Sequence, residues 1–371
     1  MEFKREFSFY QKIIDRELKK FFNKLKFLEI KNPLIRQEIS LLKKFCLSPG
    51  KRLRPILAII AFQAVSSPPT RSVRAGWLKN IFLPILSPEL YHNYTLIHDD
   101  IYDEDIIRRG EPTPHFLLQR WFEKRYGLIP YSGNLYKNSR SRFGVVAGFI
   151  GGKILRALVN LPIFQFKISL GKKIKILKLF EELDISYNFG QASDLFFEKE
   201  NKITERDYFK MVNYKTGELF KASVLLGAIL GGVTQSQRKV LKNYAENIAY
   251  VFQIKDDLLD LSIGGEKGRG VGSDIREGKK TLLLISALKK ANQKQKKKIS
   301  QIIGKKKATP EEIKEITNLY YDLGTVELCH EIARQKMKKA INTLKKAQPK
   351  LNTEPQKFFE ELANFMFERK Q

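Results

Sequence analysis

Aspartates at a fixed spacing are the residues of this chain that could do chemistry. Asp99, Asp100 and Asp103 form an Asp-Asp-x-x-Asp group that follows the apolar pair Leu96-Ile97. In a helix, Asp99 and Asp103 would lie on one face with Asp100 beside them. Aligned carboxylates repel one another by roughly a few tenths of a kcal/mol per pair unless a cation neutralises them. Magnesium prefers oxygen ligands and is commonly shared between carboxylates and substrate phosphates, so this group predicts a magnesium site.

A basic turn follows the first aspartate group. Arg108 and Arg109 precede Gly110 and Pro112, which are typical of a turn. Arginine binds phosphate oxygens through two parallel donors. One short segment therefore offers ligands for a metal and for phosphate.

A second aspartate group has the same spacing. Asp256, Asp257 and Asp260 lie within residues 252–260, Phe-Gln-Ile-Lys-Asp-Asp-Leu-Leu-Asp. A single group of this kind is most simply a solvated acidic helix end. Two copies instead favour two helices that face each other across a cavity and hold a cluster of magnesium ions between them.

These motifs resemble those of the trans-isoprenyl diphosphate synthases, in the polyprenyl synthetase family, which make geranyl, farnesyl and geranylgeranyl diphosphates. That family carries two aspartate-rich motifs, the first followed by Arg-Arg-Gly-x-Pro-Thr-x-His. Residues 108–115 match this signature at every fixed position. The resemblance covers about residues 40–345, and it implies an all-helical bundle around a deep cavity, generally in a homodimer.

The apolar pattern also favours an all-α chain. Apolar residues recur near the helical period and no run shows sustained β alternation. We expect one large helical domain over residues 1–371, with a helix break at Asn32-Pro33 and a loop at residues 66–76. Residues 116–142 read as an irregular, basic surface insertion. Lys153 stands where the family typically has an aspartate.

Charge and cysteine content limit the other function classes. The net charge of +28 invites a nucleic-acid or membrane hypothesis, but the lysines are spread along the chain and no nucleic-acid module stands out. We expect a solvated lysine-rich surface, no nucleic-acid partner and no predicted membrane contact. No run of about 20 apolar residues is evident, and Cys46 and Cys329 supply no disulfide framework. A cytoplasmic location is expected.

The resemblance implies further site residues. The Gly50-Lys-Arg-x-Arg-Pro55 segment and His92 would bind isopentenyl diphosphate, and the Lys215-Thr216 pair would contact the allylic diphosphate. Arg269 stands where a lysine is usual, which keeps the charge but changes the geometry. The predicted substrate-binding residues are Lys51, Arg54, His92, Arg108, Arg109, Lys215, Thr216, Gln253, Arg269 and Lys279.

The implied reaction joins isopentenyl diphosphate to an allylic diphosphate. Ionisation of the allylic C–O bond requires stabilisation of the leaving pyrophosphate, which metal ions provide as Lewis acids. Three Mg²⁺ ions are expected, with Mn²⁺ as an alternative, and the lost proton would go to the pyrophosphate. The predicted catalytic residues are Asp99, Asp103, Asp256, Lys215 and Lys279, and the predicted metal ligands are Asp99, Asp100, Asp103, Asp256 and Asp260.

One residue in the sequence, Tyr94, is expected to limit the chain length of the product. Tyr94 lies five residues before Asp99, and in the family an aromatic residue there marks products of fifteen or twenty carbons. The uninterrupted first motif favours geranylgeranyl over farnesyl diphosphate. The alternatives are a longer-chain polyprenyl diphosphate synthase and a non-catalytic subunit of a heteromeric prenyl synthase. A squalene or phytoene synthase or a terpene cyclase is disfavoured by the Gly-Lys-Arg segment.

Overall fold

The computed structural model describes residues 2–25, 32–66, 81–200, 202–262 and 270–369. The chain divides into two compact units, Met1–Ile59 with Pro69–Leu177, and Ile60–Pro68 with Lys178–Gln371. The expectation of a single domain stays a prediction, since compact units can belong to one domain. Most of the predicted loop at 66–76 lies outside the described residues.

The first unit is built from helices and one short hairpin. Two-residue strands β1 and β2 pair antiparallel, with Arg108 opposite Glu111. Its elements are α1 Glu2–Lys24, α2 Pro33–Leu47, the start of α3 Leu53–Val65, α4 Ser87–Tyr102, β1 Ile107–Arg108, β2 Glu111–Pro112, α5 Pro114–Tyr126, α6 Ser139–Leu158, α7 Leu161–Gln165 and the start of α8 Leu170–Lys199.

In the part of the second unit that the structure describes, the regular elements are all helices. It takes the end of α3 and most of α8, and one π-helical turn interrupts the α-helices. Its further elements are α9 Glu205–Val212, the π turn Asn213–Gly217, α10 Glu218–Gly231, α11 Gln235–Asp260, α12 Ser273–Glu277, α13 Leu282–Lys290, α14 Gln293–Ile302, α15 Pro310–Asp322, α16 Thr325–Leu344 and α17 Thr353–Glu368. The all-α prediction is confirmed.

Local sequence sets where several helices begin. The Asn32 side chain accepts hydrogen bonds from the backbone of Leu34 and Ile35, and Pro33 occupies the first turn of α2. Thr234 and Thr309 form capping boxes with the residues three positions later. These side chains satisfy backbone N–H groups that have no partner inside the helix. The predicted break at Asn32-Pro33 is confirmed.

Glycines on α6 allow its neighbours to approach closely. A Cβ atom on Gly152 would lie 2.2 Å from Nε2 of His98 on α4, and one on Gly148 would lie 2.8 Å from Cβ of His115 on α5. Gly151 faces Glu38 and Leu42 of α2. These contacts bury one face of α6 and hold α4, which carries the first aspartate group, in place.

One expectation about this region is wrong in part. Within the stretch 116–142, residues 116–126 are helical and belong to α5, and residues 139–142 are the start of α6. Phe122 of α5 stacks on Phe143 of α6 at 4.5 Å. Residues 127–138 do lie outside helices and are mostly exposed. Among the described residues, the stretch Ser139–Gln165 is also long and apolar enough to cross a membrane, with mean hydropathy 1.4. That is weak support for a membrane span, because a core helix meets the same test.

Candidate active site

The first aspartate group lies at the carboxyl end of α4. Asp100 is fully buried and Asp99 nearly so, while Asp103 is the residue that caps the helix. A helix carboxyl end has a negative partial charge, so three carboxylates there are unfavourable by themselves. Arg108 offsets part of this cost, since its Nε donates to Asp100 Oδ1 at 2.5 Å and its Nη2 lies 3.5 Å from Asp99 Oδ2.

The hairpin after α4 presents the second arginine. Arg109 has a φ of 54° and Gly110 a φ of 76°, both in the left-handed region. Arginine rarely adopts this conformation, and such residues are frequent at functional sites. The Nη1 group of Arg109 donates to the carbonyl of Pro49 at 3.3 Å. The hairpin therefore brings Arg109 against the turn that precedes Lys51.

A basic group surrounds His92 in the first unit. Burial lowers the pKa of His92 well below its usual value, and the nearby charges of Arg54, Arg109, Arg108 and Arg52 lower it further. His92 is therefore neutral near pH 7. Arg52 and Arg108 are themselves ion-paired with carboxylates, so Arg54 and Arg109 are the members of this group best suited to an anion such as a diphosphate.

Arg52 has a structural role that sequence reasoning did not assign. Its side chain is 1% exposed, and it donates to Asp15 and Glu89 at 2.7 Å each and to the carbonyl of Ser48 at 2.6 Å. The bonds to Asp15 and Glu89 join the Gly50 turn to α1 and α4. The sequence offers no local signal for them, because each partner is 37 residues away.

Tyr94 lies among aromatic rings on α4. It is 5% exposed, and its ring packs edge-on against Tyr91 at 5.2 Å and His98 at 4.9 Å. His98 in turn packs against Phe149 of α6 at 5.0 Å. The ring therefore has little room to move, which suits a residue predicted to limit the length of a product.

The second aspartate group lies at the carboxyl end of α11, in the second unit. Asp256 is the most accessible of the three, with a side chain 35% exposed. Asp257 is buried and accepts hydrogen bonds from Tyr208 at 2.7 Å and Gln253 at 2.9 Å. Burial raises the pKa of Asp257 above its usual range, although these hydrogen bonds lower it in part.

Asp260 anchors the next helix. Its Oδ1 accepts hydrogen bonds from the Ser273 backbone at 3.2 Å and hydroxyl at 2.6 Å, and its Oδ2 accepts one from the Asp274 backbone at 3.0 Å. Both oxygens therefore bond the first turn of α12. Asp100 likewise bonds Arg108, so Asp100 and Asp260 both have structural roles. Their predicted role as metal ligands stays a prediction.

Lys215 lies in the π turn between α9 and α10. Its Nζ donates to Asp194 Oδ2 of α8 at 2.5 Å. A Cβ atom on Gly190 would lie 2.4 Å from the backbone nitrogen of Lys215, so only glycine fits at that position of α8. π turns inside helices occur frequently at functional sites. Gly190 and Asp194 of α8 thus supply the space and the ion pair that position Lys215.

Two further predicted residues extend this group. Thr216 donates to Oε1 of Gln253 at 3.1 Å, which links the π turn to α11. Lys279 follows α12, with its Nζ 3.0 Å from a carboxylate oxygen of Glu277. Arg269 lies outside the described residues. The structure thus brings Lys215, Thr216, Gln253 and Asp257 together, while the expected facing of the two aspartate groups stays a prediction.

The donor chemistry fits magnesium. Carboxylate oxygens at two helix carboxyl ends, with basic side chains beside them, are the ligands a hard cation and a phosphate group require. Within the described ranges, no set of three or more His, Cys, Asp or Glu side chains is close enough to hold a metal on its own. Protein sites for magnesium typically use one or two carboxylates, with water and substrate phosphates as the remaining ligands.

Lys153 has a solvent-exposed side chain on α6. It is exposed on the outer face of α6, where Val146, Ile150 and Ile154 line a shallow apolar groove with it. The departure from the usual aspartate therefore affects a surface of the first unit.

Comparisons with known proteins identify the family of this chain. The polyprenyl synthetase family model matches residues 38–320. The short chain isoprenyl diphosphate synthase of Methanocaldococcus jannaschii is 35% identical over 275 residues, which cover 74% of this chain and 73% of that protein. The geranylgeranyl diphosphate synthase of Sulfolobus acidocaldarius is 30% identical over 326 residues, 87% of this chain and 88% of that protein.

A solved structure agrees over the whole chain. The geranylgeranyl pyrophosphate synthetase of Pyrococcus horikoshii matches with a TM-score of 0.77 and 29% identity, covering 100% of both chains. The resemblance drawn from the two aspartate motifs is thereby confirmed. The chain belongs to the polyprenyl synthetase family.

Proposed function

We propose that this chain is a short-chain trans-prenyltransferase that condenses isopentenyl diphosphate with allylic diphosphates. The observation that carries the proposal is the composition of the two aspartate groups. Each lies at the carboxyl end of a helix, with basic side chains fixed beside it. The relatives named as short-chain and geranylgeranyl diphosphate synthases support the same reaction class. Dimethylallyl, geranyl and farnesyl diphosphates are the proposed allylic substrates.

Asp99, Asp103 and Asp256 are the proposed ligands of three magnesium ions, which Mn²⁺ could replace. Bound magnesium would stabilise the pyrophosphate as it leaves the allylic carbon. Arg108 is positioned by Asp100 and Asp99, so it can supply fixed positive charge to the same phosphates. Charge that is already in place before the reaction is commonly the largest catalytic contribution.

The remaining basic residues bind and orient the two diphosphates. Lys51, Arg54 and Arg109 would hold isopentenyl diphosphate, and the neutral His92 can donate a hydrogen bond to it. Lys215, held by Asp194, and Lys279 would contact the allylic diphosphate. No side-chain nucleophile is required, and the proton lost at the end would go to the released pyrophosphate.

Replacement of Asp99 tests the proposal. We expect Asp99→Ala to lower magnesium-dependent condensation of labelled isopentenyl diphosphate at least about a hundredfold. The helix content and melting temperature should stay near those of the wild type. Asp322→Ala, which removes an exposed carboxylate at the end of α15, is the matched control and should leave turnover unchanged. Near-normal turnover by Asp99→Ala would refute the assignment.

We propose geranylgeranyl diphosphate as the product, with farnesyl diphosphate second. The buried, well-packed ring of Tyr94 supports a short product. Chromatography of labelled products should show longer chains from Tyr94→Ala, because a smaller side chain opens space beyond Asp99. Tyr94→Phe keeps the ring and should give the wild-type product. An unchanged product from Tyr94→Ala would count against this role.

A homodimer is the proposed assembly. Val146 and Ile150 on the outer face of α6 are 39% and 50% exposed, and an exposed apolar groove is typical of a protein interface. The alternative of a non-catalytic subunit predicts that the purified chain alone is inactive. A longer-chain polyprenyl synthase would be revealed by the same product analysis.

A further inference from the structure

One arginine far from the sequence motifs contacts the second aspartate group. The Nη2 group of Arg369 donates to Oδ1 of Asp256 at 2.8 Å. The arginine side chain is 4% exposed, whereas that of Asp256 is 35% exposed. The guanidinium also lies over the ring of Phe252, 4.4 Å from its centroid. A cation–π contact and a charge-assisted hydrogen bond thus fix the same group.

Helix α17 carries Arg369 to this position. At its start, Asn352 donates to the carbonyls of Gln63 and Ser66. Further along, the hydroxyl of Tyr244 on α11 donates to the carbonyl of Phe359 at 2.6 Å. Tyr244 contacts Phe359, and Asp256, further along α11, contacts Arg369, which follows α17. Helix α17 therefore runs beside α11 in the same direction. Its end therefore meets the carboxyl end of α11.

The charges at this end of α11 do not favour a free cation. The guanidinium of Arg369 places a positive charge 2.8 Å from Oδ1 of Asp256. This positive charge repels any cation that approaches Asp256. A carboxylate oxygen that accepts a guanidinium hydrogen bond also binds a metal ion more weakly. Two unit charges about 5 Å apart interact by about 1 kcal/mol even in bulk water, so this effect is large enough to measure.

We propose that Arg369 is an internal counter-ion of Asp256, which a divalent cation must displace before it can bind there. The inference rests on the proposed function, because it takes Asp256 as a metal ligand. Arg369 thereby keeps the carboxylate oriented and neutralised when no metal is bound. It also makes metal binding at Asp256 weaker than the carboxylate alone would give, so that ligands from a substrate diphosphate are needed to complete the exchange.

The proposal is tested by measuring how tightly the substrate-free chain binds Mn²⁺. Electron paramagnetic resonance reports the concentration of the free ion. Arg369→Gln should bind Mn²⁺ about fivefold more tightly than the wild type, since both the competing bond and the repulsion are gone. Arg369→Lys keeps the charge and should stay near the wild type. Arg334→Gln is the matched control: it removes another arginine of the second unit, one that lies over Phe367 instead of Asp256.

The variant Asp256→Asn separates this effect from a general change in charge. In the Asp256→Asn variant, Arg369→Gln should not increase the affinity for Mn²⁺, because the carboxylate for which Arg369 and the metal compete is absent. Equal tightening with and without Asp256, or by Arg334→Gln, would overturn the proposal. So would unchanged or weaker Mn²⁺ binding by a folded Arg369→Gln. The proposed function is tested by a separate measurement: it fails if the wild-type chain does not condense labelled isopentenyl diphosphate.

Discussion

Each acidic helix end is neutralised in part by an arginine. Arg108 bonds Asp100 and lies near Asp99, and Arg369 bonds Asp256. Carboxylates at the negative end of a helix are unfavourable without such partners. Asp257 and Asp260, whose carboxylate oxygens all accept hydrogen bonds, shape their surroundings, while Asp256 keeps a partly exposed carboxylate. Residues of one motif therefore differ in role according to the partners that the fold gives them.

Glu38 is a buried carboxyl group that the proposed reaction does not use. It is 5% exposed on α2, and its Oε1 accepts no hydrogen bond within the part of the chain that the structure describes. Burial raises its pKa from 4.5 to about 7. Between these values the folded chain holds a proton that the unfolded chain has lost, so stability should fall as the pH rises from about 4.5 to about 7.

Glu38→Gln should remove this pH dependence. From pH 5 to pH 8, we expect the variant to gain at most about 3 kcal/mol of unfolding free energy relative to the wild type, which follows from the size of the pKa change. Urea unfolding at the two pH values measures the difference. Parallel pH profiles for the two proteins would show that Glu38 ionises normally in the folded state.

At the scale of elements, the glycine face of α6 positions α4. A Cβ atom on Gly152 would lie 2.2 Å from Nε2 and 2.3 Å from Cδ2 of His98, whose ring is held between Tyr94 and Phe149. His98 has little freedom to move away. Overpacking of this kind typically costs about 1–3 kcal/mol.

Gly152→Ala should therefore destabilise the protein by about 1–3 kcal/mol in chemical denaturation. Gly171→Ala is the matched control, because a Cβ atom at Gly171 near the start of α8 would contact nothing within 4 Å. That change should be neutral or stabilising by up to about 1 kcal/mol, since alanine favours helix. Equal effects of the two changes would mean that α6 and α4 are not packed closely through Gly152.

At the scale of the whole molecule, the charge of +28 is carried by an exposed lysine-rich surface as well as by the basic group around His92. A positive field of this size attracts anionic substrates, an effect that salt weakens. Each lysine outside the candidate site needs no binding partner to explain it, because solvated lysines also keep a large chain dissolved. A cytoplasmic location stays a prediction of the sequence.

The outer face of α6 leads to a prediction about assembly. Light scattering should give a mass of about twice that of the chain, because burial of Val146 and Ile150 against a second copy removes apolar surface from water. Ile150→Glu should shift the mass toward a monomer. Leu135→Glu changes a residue that is 88% exposed in the segment after α5, and it should leave the dimer intact. A wild-type monomer would refute the proposed homodimer.

The sequence by itself determined the all-α class, the family and the two aspartate groups. These depend on short-range patterns: helical periodicity, caps such as Asn32, and carboxylates spaced within one helical turn. The expectation that residues 116–142 are irregular is wrong for residues 139–142 of α6 and for residues 116–126 of α5, because glycine, proline and aromatic residues in this stretch are typical of a loop. The helix forms because Phe122 and Trp121 stack on Phe143 of α6, a tertiary contact that overrides a weak local signal.

Only the tertiary structure decided which charged groups bond one another. Arg52 joins Asp15 and Glu89, each 37 residues away, and Arg369 reaches Asp256 across 113 residues. Asp260 bonds the start of α12 although its spacing is that of a metal ligand. Such bonds depend on how helices pack, since packing alone sets the distances between residues far apart in the chain. The motif spacing therefore predicts the chemistry, and the packing assigns a role to each member of the motif.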